Sequence, residues 1–307
     1  MNMILFGLQY ATSYCDDVVV ASSGSLEDHL RKLETVIQRF EKLNMRLNLA
    51  KLEICPPSLD FLGLTWSKDK LSIPKSKVTA YTNLKKPTTL KEARFIVNST
   101  AFYRRFIPFF SDIIAPILEL LKKPKEKFKW TEECENARTE LSTAITNNSG
   151  IYIPRPNREF IIHVDASYVA CAALVSQYDD DGELRLVAAV SRAFITSERK
   201  LAPVHKEILG LIYALNSLQY ILKGAKLKVF TDCRSVCLLK TCAPSSPYLS
   251  RLAMILSQYD FSIHHVEGRL NLQADALSRL HKAQDKILSN DKTAYTAMTR
   301  DESLLFL

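Results

Sequence analysis

The 307-residue sequence is 47% hydrophobic and 24% charged, the balance of a folded globular chain and not of a disordered one. It has no apolar run of about 18 residues, and its start lacks the basic stretch and cleavage site of a signal peptide, so neither a membrane span nor a secretory leader is expected. The net charge of +8 lies in one stretch, because residues 66–130 hold 15 basic against 5 acidic side chains while 131–307 hold 20 of each. Such a local surplus is what a surface facing phosphates carries.

Residues 1–77 read as strands and one helix. Tyr14-Cys15-Asp16-Asp17 followed by Val18-Val19-Val20 reads as a hairpin, and Ser25 with Asp28 opens an amphipathic helix bearing Leu30, Leu33, Ile37, Phe40 and Leu43. Pro56-Pro57 ends that unit, and Phe61-Leu62-Gly63-Leu64 to Ile73 forms a further hairpin turning at Lys68-Asp69-Lys70. From Thr89 to Leu121 and from Thr131 to Ile145 the pattern is helical, punctuated by Pro108, Pro116 and Pro124. Residues 147–158, with Asn-Asn-Ser-Gly and two prolines, have the composition of a linker.

A different grammar follows. Strands are expected at Phe160 to Val164, Ala170 to Gln177 and Leu184 to Val190, with Asp179-Asp180-Asp181-Gly182 as a hairpin turn. A helix from about Pro203 to Leu222, a strand from Lys226 to Thr231, a helix from Tyr248 to Gln258, a strand from Phe261 to Val266 and a helix from Asn271 complete a β-β-β-α-β-α-β-α order. Seven scattered cysteines, none in a CxxC pair or with zinc spacing, read as free thiols of a reducing, intracellular setting, cytoplasmic or nuclear.

Four acids in this second half stand where a cation site would want them. Asp165 and Asp232 each follow an apolar strand directly, while Glu207 and Asp275 lie early in helices. Strand C-terminal ends and helix N-terminal turns meet on one edge of an α/β sheet. Carboxylates together offer the hard oxygen ligands that magnesium and manganese prefer. Read singly, each acid also fits a plainer role, as a turn residue after a strand or a charge at a helix N-terminus.

His163-Val164-Asp165-Ala166-Ser167, Lys206-Glu207, Thr231-Asp232 and the run His265 to Arg279, with Ala274-Asp275-Ala276-Leu277-Ser278-Arg279, resemble the ribonuclease H domain of gypsy-type LTR retrotransposons. Separations of 42, 25 and 43 positions between the four acids match as well. The resemblance implies that Asp165, Glu207, Asp232 and Asp275 hold two Mg2+ or Mn2+ ions and that His265 assists product release. One departure is Val169-Ala170-Cys171-Ala172, where that family usually has glycines, and it bears on strand packing.

Upstream, Tyr14-Cys15-Asp16-Asp17, Phe61-Leu62-Gly63, Phe102-Tyr103-Arg104-Arg105-Phe106-Ile107 and Phe128-Lys129-Trp130-Thr131 resemble the reverse transcriptase of the same Pol polyprotein in the same order. The expected organisation is α/β throughout: a truncated palm (1–77), a helical thumb-like region (78–146), a linker (147–158), a ribonuclease H-like domain with a five-stranded mixed sheet (159–282) and a tail (283–307). Lys85, Lys86, Arg104 and Arg105 are the expected nucleic-acid contacts, and an RNA–DNA hybrid, a primer–template and other parts of a Pol polyprotein the expected partners. Asp16 and Asp17 are expected as a remnant polymerase site, since the family's third carboxylate comes from a strand well before Tyr14. The activity implied is endonucleolytic hydrolysis of RNA in hybrids, with an inactive or co-opted nucleic-acid-binding remnant as the alternative.

Overall fold

The structure, a computed structural model, describes residues 1–122, 128–237 and 247–266. The chain divides into two compact units, Met1–Pro56 and Pro57–Leu307, at the proline pair. Among the described residues no helix is long and apolar enough to cross a membrane.

In the first unit, α1 (Asn2–Leu5), the hairpin of β1 (Ala11–Tyr14) and β2 (Asp17–Val20), and α2 (Leu26–Lys42) enclose a small core of Leu5, Val36 and Phe40. The Ser25 hydroxyl caps α2 by accepting from the Asp28 amide at 3.2 Å. The hairpin turns through Cys15 at φ 49°, with Tyr14 opposite Asp17. The apolar stripe of α2 is buried only at its centre, because α1 and the hairpin cover the Val36–Phe40 side and leave Leu30 and Leu43 43% and 57% exposed.

The second unit opens with a meander of β3 (Ser58–Phe61), β4 (Leu64–Ser67) and β5 (Lys70–Ser72). Helices α3 (Lys75–Thr82), α4 (Leu90–Ala101), α5 (Phe110–Leu121) and α6 (Glu132–Thr146) pack with it around Tyr103, Phe106, Ile114, Ile117, Leu141 and Ile145. Thr89 and Thr131 cap α4 and α6, their hydroxyls accepting from the Glu92 and Cys134 amides. The segment 147–158, linker-like in composition, carries β6 (Ile151–Tyr152), which pairs with β5 as the fourth strand of that sheet. Ile151 is buried in the helical core, and Gly150 turns at φ +91° where any Cβ would lie 2.5 Å from the Leu71 carbonyl oxygen.

Next come β7 (Phe160–Ala166), β8 (Ala170–Tyr178), β9 (Leu184–Ala193), α7 (Thr196–Arg199), α8 (Pro203–Ser217), α9 (Gln219–Leu222), β10 (Lys226–Thr231), α10 (Arg234–Cys237), α11 (Pro247–Leu256) and β11 (Asp260–His265). They form a mixed five-stranded sheet in the order β11-β10-β7-β8-β9, in which β10 pairs in parallel with β7 and β11 and β8 pairs antiparallel with β7 and β9. Residues Phe160 to Val164 are buried without alternation, as befits a strand covered on both faces. Ile162, Val164, Ala173 and Val175 face a core with Ile208, Leu211 and Leu215 of α8. On the other face Leu174 and Ala189 pack against Phe109, immediately before α5, and Leu186.

Cys171, within the glycine-free run Val169-Ala170-Cys171-Ala172, is accommodated by the opposing helix. A Cβ added at Gly210 of α8 would lie 3.2 Å from Cys171 Cβ and 3.0 Å from Val164 Cγ1, so the glycine lets α8 settle onto β7 and β8. Gly210→Ala is expected to destabilise the chain by about 1–3 kcal/mol through overpacking, although alanine is the better helix former. Urea denaturation should find a smaller cost in a Cys171→Gly background. Equal costs in both backgrounds would contradict this packing.

Candidate active site

Three of the four expected carboxylates arrive at one edge of the five-stranded sheet from three elements. β7 and β10 are parallel neighbours, with Phe230 opposite His163, so Asp165 near the end of β7 and Asp232 just after β10 emerge on the same side. Glu207 joins them from the first turns of α8, which packs across β7.

Glu207 is only 5% exposed. The Thr231 hydroxyl donates to its Oε2 at 3.2 Å, and the Ala166 amide donates to the carboxylate as well. Thr231 Oγ1 in turn accepts from the Cys233 amide at 3.1 Å. Burial above all, then the charges of Asp165 and Asp232, push the Glu207 pKa up to about 8, outweighing the two hydrogen bonds that favour the anion. Burial and the neighbouring charges thus favour the protonated carboxyl.

β11 pairs in parallel with β10 and sets His265 opposite Thr231. His265 Nε2–H donates to the Asp232 carbonyl oxygen at 3.1 Å, a direction required because a carbonyl only accepts. Asp275 lies outside the described residues, and among the described residues no three Asp, Glu, His or Cys side chains close on one point as a metal cage would. The donor chemistry of Asp165, Glu207 and Asp232 fits a hard divalent cation: all are carboxylates, and burial first, then the negative charge of its two neighbours, raises the proton affinity of Glu207.

Two neighbours are not evident from sequence spacing. Thr231 is read there only as the residue before an acid, yet its buried hydroxyl orients Glu207. Lys206 is 8% exposed, with its Nζ 4.9 Å from the Tyr168 ring centroid and 5.8 Å from that of Phe194.

The expected nucleic-acid contacts separate. Lys85 and Lys86, between α3 and α4, and Arg105 are exposed. Arg104 turns inward instead: it donates to the Ser191 carbonyl and, at 3.2 Å, to the Tyr213 hydroxyl. β9 is an edge strand, and this guanidinium satisfies one of its outward carbonyls, a use that a count of basic residues cannot reveal. In the first unit, Asp16 and Asp17 are exposed at the β1–β2 turn.

Comparison with known proteins finds relatives over most of the chain. Residues 1–66 match the reverse transcriptase (RNA-dependent DNA polymerase) family, and residues 130–229 match the RNase H-like domain found in reverse transcriptase. The retrovirus-related Pol polyprotein from transposon 297 of Drosophila melanogaster is 28% identical over 309 residues, covering 100% of this chain and 28% of that polyprotein. The corresponding polyprotein from transposon 412 of the same organism is 31% identical over 268 residues, covering 87% of this chain and 21% of its own length. The chain thus spans about a quarter of the polyproteins it matches. The foamy viral protease-reverse transcriptase in complex with RNA/DNA hybrid superposes with a TM-score of 0.70 at 22% identity, over 87% of this chain and 37% of that one, a likeness of fold. This chain carries a reverse transcriptase segment followed by an RNase H-like domain, and over most of its length it is a relative of the Pol polyproteins of LTR retrotransposons.

Proposed function

We propose that the chain hydrolyses the RNA strand of RNA–DNA hybrids, with Asp165, Glu207 and Asp232, together with Asp275, as the carboxylates that hold two Mg2+ or Mn2+ ions. The observation that carries this reading is Glu207, a buried carboxyl set between two aspartates that raise its proton affinity. Gathering three acids at one sheet edge costs desolvation and like-charge repulsion, which a divalent cation offsets. Two such ions, when bound, supply an activated water and stabilise the leaving oxygen of a phosphodiester. Thr231 and the Ala166 amide orient Glu207, and His265, held at the Asp232 backbone, stands at the same edge to assist departure of the product.

Substrate recognition on this reading rests on backbone shape and 2′-hydroxyls rather than on base edges. The exposed Lys85, Lys86 and Arg105 supply charge for phosphates. Structurally similar foamy viral enzymes in complex with double-stranded DNA and with RNA/DNA hybrid support nucleic acid as the partner class. Asp16 and Asp17, exposed at the β1–β2 turn, are read as two carboxylates of a polymerase centre.

Asp232→Asn should abolish magnesium-dependent cleavage of a hybrid while leaving folding and hybrid binding nearly intact, since it removes one ligand charge and preserves volume. Residual cleavage above about a tenth of the parental rate would take Asp232 out of the site. A parental chain that binds hybrid and leaves it whole would instead identify a binding remnant.

The raised Glu207 pKa also fixes a pH dependence. The unfolded carboxyl titrates near 4.5 and the folded one near 8, so between these values the folded state holds the extra proton. Stability contributed by this group must then fall as pH rises through that window. Thermal melts without divalent cation, from about pH 5 to about pH 8, should show that fall in the parent and a flatter curve in Glu207→Gln. Identical slopes would remove the carboxylate cluster from the proposal.

A further inference from the structure

We infer that Asp112 is a positioning residue for the hydrolytic centre: from the first turn of α5 it fixes the turn that follows Asp165 and so ties the helical region to the carboxylate site. The inference rests on the proposed hydrolysis for its kinetic consequence, while the clamp itself is a matter of hydrogen bonds.

Ser167, two positions after Asp165, is the hub of that turn. Its hydroxyl accepts from the Val169 and Ala170 amides at 3.1 and 3.0 Å, and its own amide donates to the Ala170 carbonyl at 2.9 Å. The hydroxyl has one proton to give. Asp112 Oδ1 lies 2.6 Å away and the Ala170 carbonyl 3.1 Å away, and the shorter, charge-assisted bond to the carboxylate is the stronger. The same strand end supplies the Ala166 amide to Glu207, so the turn borders two of the carboxylates at once. From the α8 side, Lys206 Nζ sits over the Tyr168 ring at 4.9 Å. The turn is thereby held between two helices on opposite faces of the sheet.

α5 is itself fastened to that sheet where Asp112 leaves it. Phe109 enters the helix at φ 53° and offers no side-chain cap. The Ser111 amide finds its partner across the interface, donating to Ser191 Oγ of β9 at 2.9 Å, and both serines are buried. Arg104 bonds the Ser191 carbonyl, and Phe109 packs on Leu174 and Ala189. The first turn of α5 therefore moves with β8 and β9, and the Asp112 carboxylate is presented to Ser167 from a fixed point.

The test compares Asp112→Ala, Asp112→Asn and Ser167→Ala in the full chain, by steady-state cleavage of an RNA–DNA hybrid with magnesium and by amide hydrogen exchange at Val169 and Ala170 without substrate. Asp112→Ala and Ser167→Ala should each lower kcat about tenfold with KM unchanged, as a slight misplacement of a reacting group does. The double variant should lose no more than either single one. Asp112→Asn keeps an acceptor oxygen and should stay within about twofold of the parent. Exchange at Val169 and Ala170 should quicken in Asp112→Ala and not in Asp112→Asn. Parental kcat and parental exchange in Asp112→Ala would overturn the inference, and should that variant fail to fold, parental kcat in Ser167→Ala would do the same. If the parent chain leaves hybrid uncut, the hydrolytic reading fails on its own, and exchange in Asp112→Ala still decides whether the clamp exists.

Discussion

A sheet whose strands are apolar on both sides has to be covered on both sides. Phe160 to Val164 of β7 and Ala170 to Gln177 of β8 are buried along their whole run. α8 covers one face with Ile208, Leu211 and Leu215, closely enough that a Cβ at position 210 would crowd Val164 and Cys171. The other face receives Phe109 at the start of α5. A helical segment outside the RNase H-like match, which begins at residue 130, thus supplies part of that domain's cover. The edge strand β9 is managed in the same way, its Ser191 carbonyl taken by Arg104 and its hydroxyl by the α5 amide.

The same arrangement sets the chemistry. Because β7 and β10 run parallel at the centre and α8 crosses them, three acids from three elements emerge together. One of them, Glu207, is buried beside the others, and burial together with their charge raises its proton affinity. On the proposed reading, a cation bound here would take the place of that proton and change the charge of the site.

Much of this was legible in the sequence, and for identifiable reasons. β10 spans Lys226–Thr231 as read, and Ser25, Thr89 and Thr131 each mark a helix start, because strand alternation and caps are local signals. The helix read from Pro203 to Leu222 breaks at Leu218, where φ is −117°, and no breaker residue announces it. The two-residue strand β6 is too short to show a period, and its flanking asparagines, serine, glycine and prolines look like a linker. Asp165, Glu207 and Asp232 were visible by type and position. The cross-chain contacts around them, Asp112 with Ser167, Ser111 with Ser191 and Arg104 with β9, join residues some 55 to 87 positions apart and leave no local trace.

On the proposed reading, a cation held by these carboxylates would displace a proton from Glu207. Calorimetric titration of the full chain with magnesium or manganese at pH 7, in buffers of different ionisation enthalpy, measures it directly. Release of about one proton per chain on cation binding is expected, and its disappearance in Glu207→Gln. Cation binding without proton release, or with equal release from parent and Glu207→Gln, would contradict a divalent-cation centre built on these carboxylates.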